Sequence, residues 1–238
     1  MNLTRILLLF TFLFSSLLVS AQEKQDNKMP KNHHNFSMDL GYSYRLSSKP
    51  NELFTNQTDN SNHYNSLRHG FQINFAYDYS FKSSLAFGFK TSAFTSGNAL
   101  SSDKDKLANA GVELKDDIYI FYVGPSFKYI FPTFSERYNL YARATVGYMS
   151  LRNSETKVGI SPALTTIAKS SVYTGHSFGW GLDAGVDYSI NDFISVGFNL
   201  GFLGANVNKL TVGEEKKSLS QSENLYRLDC SVGVRIKL

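Results

Sequence analysis

Apolar and polar side chains alternate along several stretches of this chain. Every second residue from Phe36 to Leu46 is apolar or aromatic, and the residues between them are Ser37, Asp39, Gly41, Ser43 and Arg45. The same alternation runs through 71–81 and, most regularly, through 177–190. Successive side chains of a strand point to opposite faces of a sheet, so a period of two predicts strands with one apolar and one polar face.

Five further segments repeat the pattern with interruptions, such as Pro125 on an apolar face. The predicted strands are about 35–46, 71–81, 85–95, 117–131, 138–150, 177–190, 193–203 and 225–238. The connections at 82–84, 132–137 and 191–192 are short, whereas those at 47–68, 96–116, 151–174 and 204–223 are long and polar. Alternating short and long connections predict an antiparallel, up-and-down, eight-stranded barrel with all its short turns at one end.

The direction in which the apolar faces point separates two kinds of barrel. A soluble, lipocalin-like barrel would turn them inward. The apolar faces of 35–46, 71–81 and 177–190 alone carry nineteen residues, eleven of which are Phe, Tyr or Trp. An eight-stranded barrel has an interior just wide enough for side chains or one small ligand, so eight such faces do not fit inside. The apolar faces are therefore expected to point outward, into lipid.

The aromatic residues fall into two groups along the predicted strands. At the short-turn end lie Phe36, Tyr79, Phe81, Tyr129, Phe131 and Tyr188. At the long-loop end lie Tyr42, Tyr44, Phe71, Tyr148, Phe178, Trp180, Phe202 and Tyr226. Transmembrane barrels carry two such belts at their two interfaces. This distribution predicts a transmembrane barrel with short periplasmic turns and long extracellular loops.

The first 21 residues read as a cleaved secretory signal peptide. Arg5 precedes an apolar stretch from Ile6 to Val19, and small residues follow at Ser20 and Ala21. The alternative, a membrane anchor, would need an apolar run of about 20 residues. The predicted organisation is a signal peptide at 1–21, a polar periplasmic tail at 22–34 and a barrel domain at 35–238.

The pattern of the whole barrel region resembles small Gram-negative outer-membrane barrels of the OmpA/OmpX/OmpW type. The last strand resembles the C-terminal assembly signal of such proteins at Ser231, Gly233, Ile236 and Leu238. Leu238 departs from the terminal Phe that this signal prefers. The resemblance implies outer-membrane lipid and lipopolysaccharide as surroundings, and recognition by the barrel-assembly machinery. It does not imply one activity, since the fold hosts adhesins, small channels and lipid-modifying enzymes.

Most charged residues of the predicted strands fall on the inward face. The predicted luminal charge network consists of Asp39, Arg45, Asp78, Lys90, Lys128, Arg143, Asp183, Asp187, Arg227, Asp229, Arg235 and Lys237. One interpretation is a plug of paired charges that fills a narrow barrel. The other is a gated pore in which these pairs open transiently.

Few residues suggest catalysis or cofactor binding. His69 and His176, near the long-loop end, are conceivable bases for acyl transfer, but no Ser and acid partner can be assigned to either. One Cys excludes a disulfide framework, and a formal net charge of +4 does not indicate nucleic-acid binding. We expect no enzyme activity and no cofactor or metal. The sequence favours a structural or surface-interaction role through the loops, with a narrow channel for small or apolar solutes as the alternative and a lipid-modifying enzyme less favoured.

Overall fold

A computed structural model describes residues 33–47, 66–102, 112–132, 137–160, 166–213 and 215–238. The predicted signal peptide and almost all of the predicted tail lie outside these residues. The described chain is all-β apart from turns. Its strands are β1 (His34–Arg45), β2 (His69–Lys82), β3 (Leu85–Ser102), β4 (Val112–Phe131), β5 (Tyr138–Ile160), β6 (Thr166–Ser189), β7 (Ile194–Val212), β8 (Glu215–Asn224) and β9 (Arg227–Lys237).

The strands form one closed antiparallel ring. Neighbours follow chain order from β1 to β7, and β9 closes the ring by pairing with both β7 and β1. Only Leu225 and Tyr226 separate β8 from β9, and both strands pair with β7. β8 therefore continues the eighth position of the wall toward the long-loop end. The predicted eight-stranded, up-and-down barrel is confirmed.

The two faces of the wall point as the volume argument predicts. Phe36, Trp180 and Val232 face outward and are 46%, 42% and 62% exposed. Asp39 and Arg235 face the lumen and are buried. Burying a charge is costly unless it is paired, whereas exposed aromatic side chains are favourable in lipid. The outward face is thus suited to a bilayer.

The strands are longer at the long-loop end than the sequence predicts. Most of the predicted loops at 96–116, 151–174 and 204–223 belong to β3–β8, while the predicted loop at 47–68 lies mostly outside the described residues. Pairing continues up to Ser102 with Val112 and Ile160 with Thr166. These stretches resemble loops because they are rich in Ser, Thr, Asn and Lys, but polar side chains also suit a wall that faces water.

Along a single strand, the outward face changes from apolar to polar and the inward face from polar to apolar. In β4, Phe127 points outward and Lys128 inward, but ten residues nearer the long-loop end Asp117 points outward and Ile118 inward. We call this end of the sheet the upper wall; it comprises 96–102, 112–118, 150–160, 166–174, 206–212 and 215–224. Farther along the upper wall the inward face again carries buried polar residues, Asp116, Asn153 and Glu155, so the change to a polar surface persists only on the outward face. The change on the outward face therefore marks where the lipid-facing part of the barrel ends.

No helix within the described residues is long and apolar enough to cross a membrane.

Candidate functional site

The lumen near the short-turn end holds a layer of ion pairs. Arg143 on β5 reaches across β4 and β3 to Asp78, with its Nη2 atom 2.6 Å from Oδ2. Arg235 on β9 binds Asp39 through Nη1 at 2.5 Å and Asp187 through Nε at 2.8 Å. All five side chains are at least nine-tenths buried. Because charge-assisted pairs of this kind compensate buried charges, the layer connects strands that are not neighbours.

Lys128 lies between the two halves of this ion-pair layer. Its Nζ atom is 3.6 Å from Oδ2 of Asp78 and 3.8 Å from Oδ2 of Asp187, and it lies 4.1 Å from the ring centroid of Tyr141. The Tyr141 hydroxyl donates to Oδ1 of Asn199 at 3.2 Å. Lys128 thus adds a cation to a carboxylate pair that already binds two arginines.

A second polar layer lies farther along the lumen. Lys90 on β3 binds both carboxylate oxygens of Asp183 on β6, at 2.7 and 2.8 Å. Arg227 is fully buried; it donates to the Ser92 hydroxyl, and its Nε atom lies 3.3 Å from Oδ1 of Asp229. The Arg227 guanidinium also lies 5.5 Å from the ring centroid of Phe94.

Beyond the second layer the lumen is filled by apolar side chains, which we call the luminal plug. The plug consists of Leu67, Phe94, Ile118, Ile120, Tyr122, Met149, Leu151, Leu203, Ala205, Val207, Leu210 and Leu225. Eight of its members are completely inaccessible to solvent, among them Phe94, Ile120 and Leu203. The one hydroxyl in the plug is satisfied, since Tyr122 Oη lies 2.6 Å from Thr145 Oγ1. The plug closes the lumen where the upper wall begins.

The remaining members of the predicted charge network lie at the two ends of the lumen. Near the long-loop end, Arg45 binds Glu223 with Nη2 3.2 Å from Oε1, and both side chains are buried. At the short-turn mouth, Lys237 is half-buried and donates from Nζ to the Ser189 hydroxyl at 2.9 Å. The twelve residues therefore separate into an ion-pair layer, a second polar layer, and single contacts at each end.

A cavity of about 500 Å³ opens the lumen at the short-turn end. Lys128, Tyr141 and Asp187 form its inner boundary, and Lys237 lies at its mouth. The cavity therefore reaches the ion-pair layer from the short-turn side.

The two histidines face outward and away from the lumen. His69 shares a hydrogen bond between Nδ1 and the Tyr42 hydroxyl, and His176 Nδ1 lies 2.5 Å from the Tyr148 hydroxyl. Neither has a carboxylate contact within the described residues. Ser177, next to His176, instead donates to the backbone oxygens of Phe178 and Asn206. In the described part of the chain, no three His, Cys, Asp or Glu residues are grouped to hold a metal ion.

The predicted assembly-signal residues lie on the last strand of the ring. Ser231 and Gly233 face the lumen, where Gly233 is opposite Asp39 on β1. Ile236 and Leu238 face outward and are exposed. Their role in assembly stays a prediction.

Comparison with solved structures places this fold among known ones. The chain is similar to Neisserial surface protein A at 16% identity, with a TM-score of 0.50, over 86% of this chain and 97% of that chain. The chain has the fold of a small outer-membrane β-barrel protein. No protein-family model matches the sequence, and no curated protein matches it.

Two other solved structures of outer-membrane barrels are similar at lower scores. OprG from Pseudomonas aeruginosa is 11% identical, with a TM-score of 0.48, over 89% of this chain and 99% of that chain. The attachment invasion locus protein Ail of Yersinia pestis is 12% identical, with a TM-score of 0.37, over 87% and 99% of the two chains.

The luminal plug is the feature that the sequence reasoning does not predict. Ile118, Ile120 and Tyr122 have the same parity along β4 as Ser126 and Lys128, so they point into the same lumen. The detectable signal was this change from polar to apolar residues at one parity. Ile118, Ile120 and Tyr122 lie within the predicted strand 117–131, whereas Leu151, Val207 and Leu210 lie in segments that the sequence predicts as loops.

Proposed function

We propose that this chain is an integral protein of the Gram-negative outer membrane, a closed and non-enzymatic barrel with structural and surface-interaction roles. Its outward apolar face contacts lipid and lipopolysaccharide. Its upper wall and the connections at that end meet the extracellular medium. The sealed lumen is the observation that supports this proposal most strongly.

Three successive barriers support a closed barrel. An ion passing along the axis would meet the Asp78–Arg143 layer, then the Lys90–Asp183 pair, then the luminal plug. Ion-pair partners inside a protein separate only if water replaces the lost contacts, and an apolar constriction excludes water. Eight-stranded barrels have no standing aqueous channel of the kind found in 16-stranded porins.

A narrow channel for small or apolar solutes is the second candidate. The cavity at the short-turn end favours it, because the path through the barrel is already open from that end as far as Lys128. Conduction would then require movement of the plug. The two candidates differ in whether the unmodified protein carries current.

The polar exterior of the upper wall supports a surface-interaction role. Arg152, Ser154 and Thr156 follow one another along the outward face of β5, and Lys115 pairs with Asp117 on β4 at 3.7 Å. Side chains on such a rigid sheet are available to a partner outside the cell.

Single-channel recording in planar bilayers distinguishes the two candidates. We expect no resolvable events from the wild type, and discrete events from Leu203→Ser combined with Leu210→Ser, which places two hydroxyls inside the plug. The matched control is Val196→Ser with Leu200→Ser, which lie on the outward face of the same strand. The control should stay silent. Single-channel events from the wild type would support the channel instead, provided that the protein shows heat-modifiable gel migration.

Lipid analysis tests the absence of enzyme activity. We expect the acyl pattern of lipid A to be the same in cells that express the wild type, His69→Ala, His176→Ala or no protein. A change in the pattern with the wild type that is lost with either substitution would establish a lipid-modifying enzyme.

Biogenesis provides a further test of the envelope assignment. We propose that 1–21 is removed, so the intact mass of the purified protein should correspond to a chain that begins at Gln22. We also propose that Ile236 and Leu238 are read by the barrel-assembly machinery. Replacing both with Asp should lower the amount of folded barrel in the membrane, whereas Lys237→Gln between them should not.

A further inference from the structure

Arg68, in the turn that precedes β2, forms a cluster with His69 of β2 and with Tyr42 and Tyr44 of β1. The guanidinium of Arg68 lies 4.7 Å from the ring centroid of Tyr44, and Arg68 Nε donates to the backbone oxygen of Arg45 at 3.0 Å. His69 packs edge-on against Tyr44 and shares its hydrogen bond with Tyr42. Among the described residues Arg68 has no carboxylate partner. Its orientation is thus held, and within the described residues its two terminal nitrogens bind no carboxylate.

A second cluster of the same composition lies on β4, β5 and β6. Tyr148 stacks on His176 with ring centroids 5.6 Å apart, and their polar atoms form the 2.5 Å hydrogen bond. Arg152 is exposed on the same face of β5, where it is directly opposite Tyr119 on β4. Within the described part of the chain, Arg152 has no ion pair. Two separate parts of the ring therefore each carry a tyrosine-bound histidine and, nearby at the long-loop end, an arginine that has no ion pair within the described residues.

Both clusters lie where the lipid-facing band gives way to the upper wall. Phe71 and Phe178 lie just below them on the outward face and are 53% and 70% exposed. Asp117 and Ser154, above the second cluster, belong to the polar upper wall. Aromatic belts of membrane barrels mark the level of the lipid headgroups. The two arginines are therefore positioned at headgroup depth.

We propose that these two Tyr–His–Arg clusters bind phosphate groups carried by lipid headgroups of the surrounding outer leaflet. An arginine fork matches two phosphate oxygens. When a tyrosine hydroxyl donates to Nδ1 of the histidine, the ring proton lies on Nε2 and can be donated to a third oxygen. Within the described residues, neither arginine has an ion-pair partner that could take the place of such a phosphate. This assignment rests on the proposed membrane placement.

Lipid retention provides the test. The protein is reconstituted into phosphatidylcholine nanodiscs doped with diphosphoryl lipid A or with lipid A whose phosphates have been removed, and bound lipid is counted by native mass spectrometry. We expect the wild type to retain the phosphorylated form, and Arg68→Gln with Arg152→Gln to reduce that retention by about tenfold, because each arginine contributes a charge-assisted hydrogen bond to the phosphate. The double variant Arg68→Lys with Arg152→Lys keeps the charge but not the fork, and should fall between the two.

The control removes the same charge elsewhere. Lys82→Gln with Lys115→Gln changes an exposed lysine at the short-turn end and the lysine paired with Asp117, and should leave retention unchanged. Excess inorganic phosphate should not displace the lipid if headgroup and acyl chains bind together; displacement would assign the clusters to free phosphate. Equal retention by wild type and Arg68→Gln/Arg152→Gln, or equal retention of both forms of lipid A, would overturn the proposal.

The outcome is separable from that of the proposed function. If the wild type conducts ions in planar bilayers yet loses lipid retention when the arginines are replaced, the closed barrel is wrong and the phosphate site stands. If the barrel is silent and heat-modifiable but both proteins retain lipid equally, the phosphate site is wrong and the closed barrel stands.

Discussion

Lys90 on β3 and Asp183 on β6 form an ion pair across the lumen, with Nζ 2.7 and 2.8 Å from the two carboxylate oxygens. The two strands are three positions apart around the ring, so the pair connects walls that share no backbone hydrogen bond. Both side chains are almost completely buried. Each charge therefore depends on the other for compensation.

We expect Lys90→Met to lower the free energy of unfolding by about 3–5 kcal/mol, because the substitution leaves the Asp183 carboxylate buried without its cation. The double variant Lys90→Met/Asp183→Leu should recover most of that loss. Denaturant unfolding in lipid vesicles, followed through the single tryptophan, measures both variants. A double variant as unstable as Lys90→Met would contradict this explanation.

The luminal plug should contribute stability as a protein core does. Leu203→Ala removes a fully buried side chain, and we expect a loss of about 2–5 kcal/mol in the free energy of unfolding. Leu200→Ala, on the outward face of the same strand, should cost less because lipid fills the space. The same unfolding assay compares the two. Equal losses would mean that the plug does not close around Leu203.

The alternating pattern predicts some features of this barrel and leaves others undetermined. Alternation determines which residues share a face, so β1, β2 and the lower part of β6 were assigned correctly, as were the outward Phe36 and Trp180. Alternation does not predict whether a given part of a face contacts lipid, water or other side chains in the lumen. Leu151 and Arg143 have the same parity on β5, and only the closed ring shows that Leu151 packs with the plug while Arg143 binds Asp78.

The sequence predicts which charged residues face the lumen, but not which of them pair with each other. Sequence parity places the twelve charged residues on the inward face, but the partners depend on which strands face each other across the lumen. The pair of Arg143 with Asp78 joins residues 65 positions apart, and that of Arg235 with Asp39 joins residues 196 apart. Such distances follow from the register of the closed ring, not from any local pattern.

The boundary between the lipid-facing band and the upper wall can be tested by placing an arginine on either side of it on the outward face of β6. Leu182 and Ser170 both face outward on β6, but Leu182 lies in the lipid-facing band and Ser170 in the upper wall. We expect Leu182→Arg to cost about 2–4 kcal/mol of folding free energy in a bilayer, and Ser170→Arg about 0–1 kcal/mol. Unfolding in vesicles measures the difference. Equal costs would place both positions in the same medium.

Neighbouring strands pack so closely at Gly88 that we expect a larger side chain there to destabilise the barrel. A Cβ atom at Gly88 would overlap the backbone oxygen of Tyr77, whereas at Gly97 the nearest atom is the exposed, movable carboxylate of Asp117 at 2.5 Å. We expect Gly88→Ala to cost about 1–3 kcal/mol, because the backbone must shift. Gly97→Ala should be close to neutral. Stability measurements that reverse this order would argue against the register of β2 with β3.

We expect the aromatic face of the barrel to lie in lipid, and Trp180 reports on its surroundings directly. This residue is the single tryptophan, it faces outward, and its ring lies 5.1 Å from that of Phe202. In vesicles prepared with brominated acyl chains, we expect strong quenching of Trp180 fluorescence, and only weak quenching by acrylamide in the aqueous phase. Strong quenching by acrylamide together with no effect of the brominated lipid would contradict the account.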